Sequence, residues 1–376
     1  MQNRIHAGAV LTIDLDALAQ NYRTMQREVA PAAVAGVVKA NGYGLGAVPV
    51  AQTLIAAGCR HLFVAHLNEA LALKPVVPDS VALYVLNGLH PGAEADCAAA
   101  GVIPVLNSLD QIGRWSALAR RSGGCLPAAL QFDTGMARLG LSLQEVEALI
   151  ATPAILDGVA LTLLMSHLAC ADDAPSCFDR VQRDRFETLA RHFPHVPRSL
   201  DNSGGGFLPR GHFDLVRVGI ALYGGAPQTH GNPMRAVVSF DAAIIQLRDV
   251  PAGAGVGYGL THQCRRASRI ATISVGYADG WPRHLSNRGS AFIGGHRVPI
   301  VGRVSMDSIT LDVTDVPEDI LYPGAPVELL GPHQTVDAVA SDAGTIAYEI
   351  LTQLGSRNHR VTRAAARVDH QRSITA

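Results

Sequence analysis

The 376 residues carry 31 Lys+Arg against 32 Asp+Glu, with 48% hydrophobic and 17% charged residues and a mean hydropathy of +0.17. That length exceeds one usual domain and predicts two, and the apolar content is too high for a disordered chain. The near-neutral balance excludes the basic surface that a nucleic-acid binder sets against phosphates, and six scattered cysteines without a C-x-x-C pair argue against structural zinc and against a disulfide framework.

The first 16 residues contain Arg4, His6, Asp14 and Asp16 and no apolar core of signal-peptide length. No stretch is long and uncharged enough to span a bilayer, so the expectation is a cytosolic protein with reduced thiols. From residue 34 to residue 224 one plan repeats: a short apolar, β-branched run, a turn, then a more polar helical stretch. The runs are 34–40, 61–66, 81–87, 102–107, 128–133, 158–167, 198–203 and 215–224, with helical spacing at 144–151 and 178–192 among others. Eight successive units whose strands are apolar on both faces predict a closed parallel (β/α)8 barrel of the TIM type, with an open doubly wound sheet as the fallback. After residue 233 the pattern changes to alternating or β-branched runs at 236–248, 269–275, 290–293, 298–301, 308–313 and 327–330, and one helical stretch follows at 338–354. The expected division is a barrel over 10–234 and a mostly β domain over 235–376, joined by 1–9.

Reactive groups of a parallel barrel sit at the carboxyl ends of its strands. Polar residues collect there in this chain: Lys39, Asn87, Asn107, Asp133, His167, Asn202, Ser203 and Arg217. Lys39 stands at the tip of an otherwise apolar first strand, followed by glycines and Tyr43. A snorkelling lysine would look the same in isolation. The glycine-rich segment 201–206 after the seventh run, and Arg217 to Ile220 in the eighth, fall where barrels commonly hold a phosphate on backbone N–H groups and hydroxyls. The glycines of 253–259 lack the helix and distant acidic residue of a dinucleotide loop. No H-E-x-x-H or compact His/carboxylate group occurs among the fifteen histidines, so no metal site is expected.

Taken together, these segments resemble the alanine racemases, the fold-type III enzymes dependent on pyridoxal 5′-phosphate (PLP). The match runs through V-K-A-N-G-Y-G at 38–44, D-T-G-M-A-R-L-G at 133–140, S-H-L-A at 166–169, Asn202–Ser203, R-V-G-I-A-L-Y-G at 217–224, G-Y-G at 257–259, G-Y-A-D-G at 276–280 and G-R-V-S-M-D at 302–307. The resemblance implies a cytoplasmic homodimeric isomerase with active sites at the subunit interface, supplying D-alanine for peptidoglycan or serving its breakdown. Lys39 would carry PLP as an internal aldimine and exchange a proton at the substrate Cα. Tyr258 of the partner subunit would act from the opposite face, because inversion by two bases needs a group on each side. Both groups start near a pKa of ~10, so neutral-pH work requires their surroundings to lower it.

The family pattern assigns Tyr43, His167, Ser203, Arg217, Gly219, Ile220 and Tyr348 to the cofactor, with Arg217 at the pyridine nitrogen, and Arg138, Met306 and Tyr277 to the substrate. One departure stands out. Family members often carry a modified lysine seven positions before the carboxylate-binding arginine, whereas this chain has Gln131, whose carbonyl oxygen is expected to form a weaker tether to Arg138. The segment 356–360 also departs from the family's usual ending. Competing readings are a broader-specificity racemase or other PLP enzyme on this scaffold, and a PLP carrier or regulator without turnover. A lone-barrel carrier would lack the β domain and its tyrosine.

Overall fold

The computed structural model describes residues 6–173 and 176–364, so Arg4 and the chain beyond residue 364 lie outside the described residues. These residues form two compact units, one of 6–18, 236–335 and 355–364, the other of 19–235 and 336–354. Strand β1 (Ala9–Asp14) in the first unit runs straight into helix α1 (Leu15–Glu28), whose residues are divided between the two. Asp14 starts that helix as its Oδ1 accepts the Ala17 N–H at 2.8 Å.

The second unit is the expected barrel. Its strands are β2 (Ala33–Val37), β3 (His61–Val64), β4 (Ala82–Val85), β5 (Ile103–Leu106), β6 (Leu126–Gln131), β7 (Val159–Met165), β8 (Arg198–Ser199) and β9 (Leu215–Val218). They pair in parallel in the order β8-β7-β6-β5-β4-β3-β2-β9. Between them lie the tight turn α2 (Lys39–Tyr43) and helices α3 (Ala47–Ala56), α4 (Leu67–Leu73), α5 (Glu94–Ala99), α6 (Leu109–Ser122), α7 (Leu143–Ala151) and α8 (Cys177–Ala190). Ordinary start signals set them: Ser108 Oγ caps α6 at Gln111 N, and Ser142 with Glu145 forms a capping box on α7.

The seam between β8 and β9 is the least regular part of the barrel. Only two residues of β8 have strand geometry. Asp214 N–H donates to Arg198 O at 3.0 Å and Arg217 N–H to Asp201 O at 3.0 Å, and Ser199 Oγ adds a bond to Leu215 O at 2.7 Å.

The first unit is a mostly β body. Strand β10 (Val238–Val250) pairs with β1 through its first half and with β13 (Ser268–Ile273) through its second, and shifts of register near Phe240 and Ile244 let one long strand serve both. The short pair β11 (Gly255–Val256) and β12 (His262–Gln263) stands apart. The rest of the sheet comprises β14 (Ser290–Ile293), β15 (His296–Pro299), β16 (Ile309–Asp312), β17 (Pro326–Leu330) and β18 (His359–Arg363), with β1–β18 parallel. The helical stretch expected over 338–354 is two helices, α9 (Val336–Ala343) and α10 (Ala347–Gln353), broken at Gly344, whose φ of +68 is left-handed. This pair groups with the barrel unit. No helix among the described residues is long and apolar enough to cross a membrane.

Candidate active site

Lys39 follows β2, and the backbone after it is unusual. Ala40, Asn41, Gly42 and Tyr43 are all left-handed, with φ of 52, 54, 63 and 53. Each non-glycine residue there costs roughly 1–2 kcal/mol, so the turn persists only because its surroundings impose it. Gly42 N–H reaches Val38 O at 2.9 Å, Gly46 N–H reaches Asn41 O at 2.8 Å, Ala47 N–H reaches the Asn41 side chain at 2.9 Å, and Glu69 Oε1 accepts the Ala40 N–H at 2.7 Å. The turn aims Lys39 into a cavity of about 420 Å³. Its amine makes no hydrogen bond or ion pair among the described residues, and burial, then Arg138, hold its pKa below the ordinary lysine value while Glu69 opposes them.

The same turn buries Tyr43, which stacks on Tyr223 at 4.4 Å between centroids and leans on Tyr348 at 5.8 Å. Burial raises the pKa of all three phenols, Tyr348 to about 12. Opposite them, Ser203 Oγ accepts the Gly219 N–H at 2.9 Å, and Ile220 opens the short turn that follows. Gly219 has no room for a side chain, since a Cβ would collide with the Tyr43 hydroxyl. Ser203, Gly219, Tyr43 and Tyr348 all line the cavity, and Ile220, directly after Gly219, is buried.

Arg217 lies on β9, only 3% exposed. It donates to Ser199 O and Oγ at 3.0 and 2.6 Å, to Ser166 O at 2.5 Å, and to His167 Nδ1 at 3.1 Å. An arginine has no acceptor, so the imidazole must accept through Nδ1 and carry its proton on Nε2. Burial and the charges of Arg217, Arg138 and Lys39 push the His167 pKa well down, which keeps the ring neutral. Burial likewise lowers Arg217 to about 10, with Asp201 acting against it. The carboxylate of Asp201 is itself held by Arg210 and by His212 Nδ1, each at 2.7 Å.

Arg138 is placed by Asp133, whose Oδ1 accepts the N–H groups of Gly135, Met136 and Ala137 in one turn. Its guanidinium has no hydrogen-bond partner among the described residues. The expected contact from Gln131 is not made: Gln131 instead donates through Nε2 to Leu139 O at 3.1 Å, bracing the chain next to Arg138. An amide carries both donor and acceptor, and here the donor finds the nearer backbone oxygen. The cavity is thus lined by the cations Lys39, Arg138 and Arg217, a neutral His167, amides, hydroxyls and apolar side chains such as Leu86 and Met165, and by no Asp or Glu. No group of three or more His, Cys, Asp or Glu among the described residues could hold a metal ion.

Three expected residues lie in the other unit and do not line this cavity. Tyr258 is 72% exposed in the turn after β11, while Tyr277 and Met306, 42% and 53% exposed, stand on adjoining loops tied by Tyr277 N–H to Ser305 O and Ala278 N–H to Met306 O, both 3.0 Å. The segment doubted at the C-terminus is well anchored within that unit: Arg357 grips Asp279 through two bonds of 2.9 Å and Asp307 at 2.8 Å.

The family model for the alanine racemase N-terminal domain matches residues 13–227, and that for the C-terminal domain matches 237–362. The chain belongs to the alanine racemase family. The catabolic alanine racemase of Agrobacterium fabrum is 53% identical over 356 residues, spanning 94% of this chain and 92% of that protein. The alanine racemase of Brucella abortus is 51% identical over 370 residues, 94% of this chain and 93% of its own length. Among solved structures, alanine racemase from Bartonella henselae with covalently bound pyridoxal phosphate superposes with a TM-score of 0.91 at 46% identity, covering 95% of this chain and 100% of that one.

Two further features of this alanine racemase family member bear on Lys39. Glu69 holds the turn beside Lys39, and its only trace in the sequence is a polar Asn68–Glu69 pair opening a helix. Lys39 is also one of only two lysines in the chain, the other being Lys74, which pairs with Asp79 at 3.3 Å.

Proposed function

We propose that this chain is a PLP-dependent alanine racemase whose active site is completed by a second copy of itself. The observation that carries this reading is the cavity with three cationic side chains and no carboxylate, at the carboxyl ends of the barrel strands. Such a lining suits a ligand with a phosphate at one end and a substrate carboxylate at the other. The residues also fit the cofactor, because Gly219 brings bare backbone up to the Tyr43 hydroxyl and the Ser203 hydroxyl, where a phosphate needs donors and no side-chain bulk. PLP bound there would draw electrons away from the substrate Cα and so acidify its proton.

Lys39 would hold the cofactor by its amine and, once released, take or return the Cα proton on its side. Burial and Arg138 already favour its neutral, basic form. Tyr43, Ser203, Gly219, Ile220 and Tyr348 would fix the phosphate. Arg217 would face the ring nitrogen as a donor that does not readily give up its proton, and the neutral His167 would keep Arg217 in register. Arg138 would take the substrate carboxylate. Tyr258 of the partner subunit would exchange the proton on the opposite face, the backbone at Met306 would share the substrate carboxylate with Arg138, and Tyr277 would narrow the entrance. The exposure of Tyr258 and its absence from the lining of its own copy's cavity support this pairing.

The test mixes the purified chain with PLP and L-alanine and follows optical rotation beside a Lys39→Ala control. Rotation decaying to zero with the native chain alone is the expected result. Stable rotation with alanine under excess cofactor would remove the reading, and decay with larger amino acids would select the broader-specificity alternative.

A further inference from the structure

We propose that Glu69 is a positioning residue for Lys39, its carboxylate clamping the main chain after the lysine and setting a negative charge against that of Arg138. This rests on the assignment of Lys39 above and deepens it. Glu69 is the third residue of α4, and a helix N-terminus explains only part of what it does. Its Oε2 accepts the N–H groups of Ala65 and His66 at 2.8 and 3.1 Å, which caps the loop after β3. Its Oε1 leaves that loop and accepts the Ala40 N–H at 2.7 Å.

One carboxylate thus ties two βα loops together at the residue that follows Lys39. The bond lands on the first residue of the left-handed turn, where the backbone most needs an external hold.

Charge adds a second effect. Around Lys39 stand Arg138, Arg217, His167, Tyr43, Tyr348 and Glu69. His167 is held neutral and the phenols stay protonated, so the charged groups are two arginines, Glu69 and Glu349, the last lining a neighbouring pocket that Lys39 also borders. Of these, Glu69 alone raises the basicity of Lys39, opposing Arg138 and burial. Without it the amine would be a weaker base on a looser stem.

The scarcity of lysine makes the test direct. Competitive acetylation of the full-length, cofactor-free chain across a pH series, read as the mass of the two lysine peptides, follows Lys39 with Lys74 as an internal standard. Glu69→Gln keeps one acceptor oxygen and removes the charge. The expected result is a Lys39 midpoint about 0.5–1 unit lower than in the native chain, with Lys74 unmoved. An unchanged Lys39 midpoint would reduce Glu69 to a cap for α4 and overturn the proposal.

Glu69→Asp keeps the charge and shortens the reach, and it serves even if the glutamine variant does not fold. In the PLP-loaded enzyme it should lower kcat several-fold with little change in KM, because the lysine rather than substrate binding is displaced. A native kcat would likewise overturn the clamp. Racemisation by the native chain tests the enzyme assignment itself, so a native chain that racemises alanine beside unshifted Glu69 variants would sink this inference alone.

Discussion

A buried imidazole wedged among three cations has one stable form, and His167 shows what that costs in acid. Its folded pKa lies well below its unfolded value of about 6.5. Between those two values the unfolded chain binds a proton that the folded chain refuses. Stability is therefore full above pH ~6.5 and falls as the pH drops below it, at up to about 1.4 kcal/mol per pH unit for such a group. Thermal melts at pH 7.5 and 5.5 should lose more Tm in the native chain than in His167→Gln, and equal losses would show that the ring titrates normally. The role of Gln131 is open to a similar check. Because it braces Leu139 rather than Arg138 itself, Gln131→Ala should raise KM for alanine several-fold with a smaller effect on kcat, measured from initial rates. A residue's type and motif context pointed to Lys39, Arg138, His167, Ser203 and Arg217. Partners such as Glu69 and Asp201 did not stand out, because a carboxylate that accepts backbone N–H groups or braces a neighbour leaves no periodic mark on the sequence.

At the level of elements, the turn after β2 holds the most strain. Ala40 sits at a φ that glycine adopts freely, so Ala40→Gly should relieve about 1 kcal/mol of backbone cost, part of which is lost to the greater freedom of the unfolded chain. A urea midpoint that rises or holds level is expected, and a clear fall would mean the turn is not strained at that residue. Gly219→Ala is predicted to weaken PLP binding at least about tenfold, since its methyl would displace the Tyr43 hydroxyl from the cradle, and cofactor absorbance titrations would measure it. All eight barrel runs could be located from apolar content alone, yet their ends could not. The sequence runs overshoot β2, β8 and β9 most because the apolar pattern continues into residues that turn out of the ladder to build the cavity. Nor did the pattern 338–354 reveal its break at Gly344, since apolar spacing continues on both sides of it.

On the scale of the whole molecule, the expected groups separate into a cofactor set in the barrel unit and Tyr258, Tyr277 and Met306 in the β unit. That separation motivates a mixing experiment. Lys39→Ala and Tyr258→Phe subunits, each inactive alone, should regain about a quarter of native activity when unfolded and refolded together, because half the dimers would be mixed and each would contain one intact site. No recovery would place both residues of a site in the same copy. Fold class and order of units followed from how hydrophobic periodicity changes along the chain.

Arg217 binds the carbonyl or hydroxyl groups of Ser166 and Ser199 beside the two-residue strand β8, so the side chain proposed to face the cofactor also stitches the barrel's least regular seam. Any attempt to retune the chemistry at that position therefore meets a folding problem first: a smaller replacement would leave several strand-end oxygens dry and unmatched. Libraries varied at residue 217 should lose soluble protein before they reveal new reactions, unless a compensating donor is built in beside it.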